Sequence, residues 1–241
     1  MKLIVCKDYD EMSQKAASLA AESIGDAGEK LISFPGGETP LGMVSAFVEM
    51  VNSGKADISR TRFVQLDEWV GLGGDEKGSC VHFIKQNLLN RLHYPFLDFH
   101  LINALAPEIQ KECMHLDDYI ERFGPLDLSV LGIGLNGHLG FNEDGVNFEN
   151  NAHIIPLSGT TKKIMGKYFD RDHPLEYGIT QGIKQIMAAK KVILIANGAH
   201  KAAILGRAFN GPVTNAVPAS VLQDHNNCYI ITDVEAAKEL Q

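Results

Sequence analysis

The chain has 241 residues, of which 45% are hydrophobic and 22% charged, with a formal net charge of −8. That length can bury a sizeable core, in one large domain or two small ones. The acidic balance argues against a nucleic-acid or anionic-membrane surface, while a few local cations would still hold a small anionic substrate. Cys6, Cys80, Cys113 and Cys228 are scattered, with no C-x-x-C pair, and read as reduced thiols of a cytoplasmic protein. Met1–Val5 is too short an apolar run for a signal peptide, Asp8 and Asp10 follow at once, and no run approaches transmembrane length.

Lys2–Cys6 reads as a first strand, and Asp8 with Glu11 as a capping pair for a helix that runs to Gly25. Leu31–Phe34 is a second strand. It ends in Pro35-Gly36-Gly37-Glu38-Thr39-Pro40, after which Met43, Val44, Phe47 and Val51 mark a helix with Pro40 at its first position. Arg62–Leu66 is a third strand with Asp67-Glu68-Trp69 at its end. A glycine-rich loop follows, then a helix from Ser79 to about Leu92, a short strand at Phe99–Ile102 and an amphipathic helix over Pro107–Phe123. Leu126–Ile133 is a buried strand that breaks into a loop with Gly132, Gly134, Gly137, Gly140 and Gly145. His153–Leu157 reads as a strand, Thr160–Phe169 as a basic helix, Ile179–Ala189 as a helix and Val192–Ala196 as a strand. The helix His200–Phe209, a helical turn at Pro218–Leu222, a strand at Cys228–Thr232 and a closing helix at Val234–Leu240 complete the chain. Such alternation predicts an α/β fold, a doubly wound and mostly parallel sheet with helices on both faces, in a single Rossmann-like domain over 1–241.

The glycine loop after the central strand carries the strongest chemical signal. Glycines let a ligand approach the backbone, and ligands of open α/β sheets sit at the carboxyl ends of the strands. His138 stands in that loop with Asn136 before it and Glu143 after it, and a carboxylate beside an imidazole fixes its tautomer and suits it to proton transfer. Asp67 and Glu68 end an apolar strand before Trp69. An acid against an apolar wall has a raised pKa, in the range of a general base, although a solvated strand end is the equal alternative. The Gly36–Thr39 turn aims backbone N–H groups and a helix dipole at an anion, with Glu38 as an opposing charge. Lys201, at the start of a helix where a cation is unfavourable, points the same way. Lys162, Lys163, Lys167 and Arg171 read as a solvated basic face. Gly132-x-Gly134-x-x-Gly137 matches a dinucleotide fingerprint, but no helix begins at Gly137 and no acidic strand end follows at the required distance, so a nicotinamide oxidoreductase is disfavoured. The remaining histidines show no metal pattern.

Read together, Phe34–Gly42 (FPGGETPLG), Leu66–Leu72 (LDEWVGL) and Leu131–Glu143 (LGIGLNGHLGFNE) resemble the glucosamine-6-phosphate deaminase family, which also holds galactosamine-6-phosphate deaminase/isomerases and, more distantly, 6-phosphogluconolactonases. The resemblance runs from Met1 to about Asp233. The segment after His138 is similar to the deaminases rather than the lactonases, and Trp69, Gly78-Ser79-Cys80, Tyr177–Gly182 and Val217–Ser220 lean toward the galactosamine-6-phosphate branch. The resemblance implies an enolising base at Asp67, a ring-opening acid/base at His138, an orienting carboxylate at Glu143, and phosphate contacts from Gly36, Gly37, Glu38, Thr39, Lys167 and Lys201. It implies no metal or organic cofactor. Three departures stand out. Asn136 replaces an aspartate often found there, Lys167 an arginine, and Glu38 a small residue. The C-terminal extension of hexameric, allosterically activated members has no counterpart, which implies no strong activation and leaves monomer or homo-oligomer open. A lactonase and a non-catalytic sugar-phosphate-binding module are the alternatives.

Overall fold

The computed structural model describes residues 1–25, 28–165, 169 and 175–240. Its centre is a seven-stranded sheet, every pairing of which is parallel. The strands are β1 (Lys2–Cys6), β2 (Lys30–Phe34), β3 (Thr61–Gln65), β5 (Asp98–His100), β6 (Leu128–Leu131), β9 (Val192–Ala196) and β10 (Cys228–Asp233), in the order β1-β10-β9-β6-β2-β3-β5. Side chains alternate across it. Ile32, Phe34, Phe63, Leu128, Val130, Ile193, Ile195 and Ile231 face one layer, which contains α1 (Tyr9–Glu22) and α2 (Leu41–Asn52). Leu31, Val64, Leu131, Val192, Leu194 and Ile230 face the other, which contains α4 (Ile109–Phe123), α6 (Ile183–Met187) and α7 (Ala202–Phe209). Burial on both faces explains why these strands read as continuous apolar runs.

Local chemistry sets several of the boundaries. The Asp8 side chain caps α1 by accepting from the Glu11 N–H at 2.9 Å, and Glu11 reaches back to the Lys7 N–H at 2.7 Å, so the expected capping pair is present. Ser79 caps α3 (Cys80–Asn87), which stops earlier than expected and passes into a 3₁₀ turn at Leu89–Arg91. The other expected elements appear with ends shifted by a few residues, except that 166–168 of the helix expected at Thr160–Phe169 lie outside the described residues; the helix expected at Val234–Leu240 is a 3₁₀ turn at Ala236–Glu239.

Two expectations need correction. Asp67-Glu68-Trp69 is not the end of the third strand but a strand of its own, β4. It pairs antiparallel with β8 (Tyr177–Thr180), which pairs antiparallel with β7 (His153–Pro156). Residues 179–180, expected at the start of a helix, therefore belong to a strand, and the helix is only the short α6. Ile179, Ile183 and Ile186 have helical spacing, but Ile179 is spent in the β8 ladder before Gly182 opens α6. This second, three-stranded sheet covers a small apolar cluster of Trp69, Leu72, Phe141, Leu157 and Leu175.

The chain winds outward from β2 to β3 and β5 on one side, and from β6 to β9 and β10 on the other. The strand order thus reverses between the neighbours β2 and β6, and the crevice at their carboxyl ends is where open α/β sheets bind ligands.

Candidate active site

A cleft of about 530 Å³ opens at that crevice, within the roughly 300–1,000 Å³ usual for small-ligand sites. The loop after β2, the start of β4, the N-terminus of α3 and the glycine loop after β6 all reach it, bringing Gly36–Thr39, Asp67, Cys80, Gly134 and His138 together, with Lys201 at the margin. Glu38 lines the cleft on an exposed position. Lys167 and Arg171 lie outside the described residues.

The 36–39 loop leaves β2 through Gly37, whose φ of +109° is one that glycine adopts readily. Among the described residues, the amides of Gly37, Glu38 and Thr39 find no protein acceptor. Pro40 opens α2 and brings no side-chain cap of its own, and in the first turn the Gly42 N–H donates to the Tyr9 hydroxyl at 2.8 Å. Lys201 does not begin the last long helix from solvent. It ends a 3₁₀ turn, and its ammonium donates to the Ile133 carbonyl at 2.5 Å, which holds it over the glycine loop.

Asp67 and Glu68 are adjacent in sequence and separated in role, because alternate residues of a strand point to opposite sides. Glu68 is fully buried. It accepts from the backbone N–H groups of Trp69, Cys80 and Val81 at 2.9, 3.0 and 2.7 Å and from the Ser79 hydroxyl at 2.8 Å. It therefore fastens β4 to the N-terminus of α3. Burial pushes its carboxyl up, against the pull of those hydrogen bonds. Asp67 faces the cleft. Burial, then the neighbouring charge of Glu68, raise its carboxyl to about 7, and a hydrogen bond from the Cys80 thiol works in the other direction. A carboxyl held there can take up a proton from carbon at neutral pH and give it back.

The His138 imidazole is oriented from behind. Its Nδ1 lies 3.3 Å from Glu143 Oε2 and 3.4 Å from Thr161 Oγ1. Asn136 donates to Glu143 Oε2 at 2.7 Å, and Thr161 donates to Glu143 Oε1 at 2.5 Å. Burial alone would raise the Glu143 carboxyl, but the hydrogen bond and charge of His138, with the bonds from Thr161 and Asn136, hold it down at about 2. Glu143 is thus a permanent anion at neutral pH. It favours the imidazole tautomer with the proton on Nδ1, which leaves Nε2 to exchange protons with a ligand. Asn136 acts on Glu143 rather than on the ring, so a single carboxylate orients the histidine.

Gly134, read from the sequence as one of the glycines that admit a ligand, is needed for the histidine itself, since a Cβ there would lie 2.4 Å from the His138 ring. Two contributors were not singled out from the sequence. Thr161 sits on α5 (Gly159–Met165), which read only as a basic helix. Cys80, read as an ordinary thiol, reaches the cleft because Glu68 binds the turn of helix that carries it. The sequence signal available for Cys80 was the Ser79 cap, which fixes where α3 begins. Among the described residues, no group of three or more His, Cys, Asp or Glu is placed to hold a metal ion, and no helix is long and apolar enough to cross a membrane.

Comparison with known proteins adds to this geometry. The family model described as glucosamine-6-phosphate isomerases/6-phosphogluconolactonase matches residues 7–231. The chain is 38% identical over 242 residues to a glucosamine-6-phosphate deaminase of Clostridium perfringens (strain 13 / Type A), covering 100% of both chains. It is 36% identical over 238 residues to one from Thermoanaerobacter sp. (strain X514), covering 98% of this chain and 94% of the relative. Among solved structures, a monomeric glucosamine-6-phosphate deaminase superposes with a TM-score of 0.93 at 27% identity, covering 99% of this chain and 100% of that one. The 6-phosphogluconolactonase of Trypanosoma brucei superposes with a TM-score of 0.76 at 19% identity over 100% and 98% of the two chains, a likeness of fold.

Proposed function

The chain belongs to the glucosamine-6-phosphate isomerase/6-phosphogluconolactonase family, and we propose that it is a hexosamine-6-phosphate deaminase, converting its substrate to the ketohexose 6-phosphate and ammonia within one domain spanning 1–241. One observation carries this reading. The cleft presents a carboxyl tuned to about 7 alongside an imidazole backed by a permanent carboxylate. Hydrolysis of a lactone would leave that carboxyl idle, whereas an aldose–ketose conversion needs a group that takes a proton from one carbon and returns it to the next.

In this mechanism the 6-phosphate docks on the amides of Gly36–Thr39 and on Lys201, with Lys167 in the same role, and the Glu38 side chain turned to solvent. His138 gives a proton to the ring oxygen and takes up the one on the anomeric hydroxyl, and the pyranose opens to the aldehyde. Asp67 removes the C2 proton while the imidazolium of His138 returns its proton to O1, which leaves an enolamine, and Asp67 then delivers its proton to C1. The resulting C2 imine takes up water, and ammonia departs. Glu143 stabilises the imidazolium that forms when His138 recovers a proton, and Asn136 holds Glu143 in place.

Full-length relatives of 34–38% identity that bear the name glucosamine-6-phosphate deaminase make glucosamine 6-phosphate the first substrate. Trp69 and Gly78-Ser79-Cys80 keep galactosamine 6-phosphate as the second. Four unpaired cysteines fit a cytoplasmic place of action. The test is ammonia release from both hexosamine phosphates, measured beside hydrolysis of 6-phosphogluconolactone. Release from either aminosugar is expected and their rate ratio fixes the branch. Lactone hydrolysis without ammonia would replace the deaminase by a lactonase.

A further inference from the structure

We propose that Tyr9, which is not part of the cleft wall, is a positioning residue for the substrate's phosphate, locking the 36–39 loop through its hydroxyl. This rests on the reading of that loop as the phosphate site.

The hydroxyl accepts from the Gly42 N–H at 2.8 Å and faces the Thr39 and Glu38 carbonyls at 3.1 and 3.2 Å. A phenol has one proton to donate and lone pairs to accept. The oxygen therefore caps an amide of the first turn of α2 and shares its proton between two consecutive carbonyls of the loop. Pro40 offers α2 no side-chain cap, so Tyr9 fills that role from another helix. In a trans peptide the C=O and N–H point in opposite directions. Turning the Glu38 carbonyl toward Tyr9 thus turns the Thr39 N–H away from it, and that amide has no protein acceptor among the described residues. Leu41 also donates to the Glu38 carbonyl, at 3.2 Å, and closes the turn from the other side.

Tyr9 is itself well placed to act as a fixed post. It is the first residue of α1, one position after the Asp8 cap, and α1 packs along α2. The fit is tight on the α2 side as well. A Cβ at Gly42 would lie 2.8 Å from Tyr9 Cε1, 3.0 Å from its hydroxyl and 2.4 Å from Ser13 Oγ. A bulkier residue at 42 would displace the phenol.

Tyr9→Phe keeps the ring and removes the three contacts. The KM for glucosamine 6-phosphate and the inhibition constant of inorganic phosphate should both rise about fivefold, the factor set by one net hydrogen bond. The change in kcat should be smaller than either. Gly42→Ala, which pushes the phenol aside from the opposite side, should give the same pattern and serves if Tyr9→Phe folds poorly. Absence of phosphate inhibition in the parent enzyme would overturn the phosphate-loop reading and this proposal with it. Inhibition that is present in the parent and unchanged in both variants would overturn the role of Tyr9 alone. So would a fall in kcat at constant KM, the mark of a purely structural residue.

Discussion

Asp67→Asn should make the protein more stable as it makes the enzyme inactive, and the stability gain should depend on pH in a defined way. An aspartate carboxyl ordinarily titrates near 3.8, and burial beside Glu68 holds this one at about 7. Below pH 3.8 it is protonated in the folded and unfolded chains alike and contributes no pH dependence. Between 3.8 and about 7 the unfolded chain releases the proton while the folded chain keeps it. Folding then weakens by about 1.4 kcal/mol for each pH unit. Above 7 both states are ionised and the full penalty stands, at most about 4 kcal/mol. Asparagine has the same shape and no charge, so it removes the penalty. The stability gap between variant and parent should widen by about 3 kcal/mol between pH 5 and pH 8. For a chain of this length that is roughly 6–12 °C in melting temperature. The carboxyl of Glu68 is raised in both proteins by its own burial. Thermal melts at pH 5, 6, 7 and 8 would show the divergence. Parallel curves would refute the reasoning, since a carboxyl of ordinary pKa is neither a cost to folding nor a base tuned to neutrality. In the parent, kcat/KM should fall about tenfold per unit below pH 7, and turnover of the variant should drop by about 10²–10⁴ or more.

Other perturbations separate the parts of the site. Gly134→Ala places a methyl 2.4 Å from the His138 ring on a backbone whose φ suits alanine, so turnover should fall at least about tenfold while the melting temperature moves little; equal losses in both would mean that the clash is absorbed by the fold. Glu143→Gln removes a carboxylate held at about 2. The stability this group contributes is present above about 4.5 and lost as pH falls toward 2, so acid unfolding of the variant should lose its steep phase in that window. Ring opening should slow by about 10²-fold as the imidazolium loses its partner, readable as a larger loss on the cyclic substrate than on an open-chain analogue. Cys80→Ala removes the thiol that hydrogen-bonds Asp67 and lowers its pKa, and the acid limb of the pH profile should move up, with Cys80→Ser restoring it. An unmoved limb in Cys80→Ala would show that the thiol only fills space.

What was legible in the sequence was whatever is decided within a few residues. β9 matches its expected bounds, Val192–Ala196, because a run buried on both faces has no alternative to strand between Lys190-Lys191 and Asn197-Gly198. The caps at Asp8 and Ser79 are likewise local chemistry. The glycine loop was readable because its histidine and carboxylate sit five positions apart and meet within one turn of chain. The separation of Asp67 from Glu68 could not be read that way. It depends on β4 leaving the main sheet to pair with β8, a partner far along the chain whose Ile179 has helical spacing with Ile183 and Ile186 of α6. Once β4 is a separate strand, its alternation sends Glu68 to the N-terminus of α3 and Asp67 to the cleft. The hydrogen bonds taken by Glu68 then bring Cys80 to Asp67. The raised pKa of Asp67 is therefore a product of the second sheet. Desolvation comes from the packing around β4, and the adjacent charge is one that Glu68 can keep because α3 supplies its hydrogen bonds. A substitution that loosened the β4–β8 pairing, such as Thr180→Pro opposite Asp67, should let water reach the carboxyl and return its pKa toward 3.8. The acid limb of kcat/KM would then shift down, and a limb fixed near 7 in that variant would place the origin of the shift elsewhere.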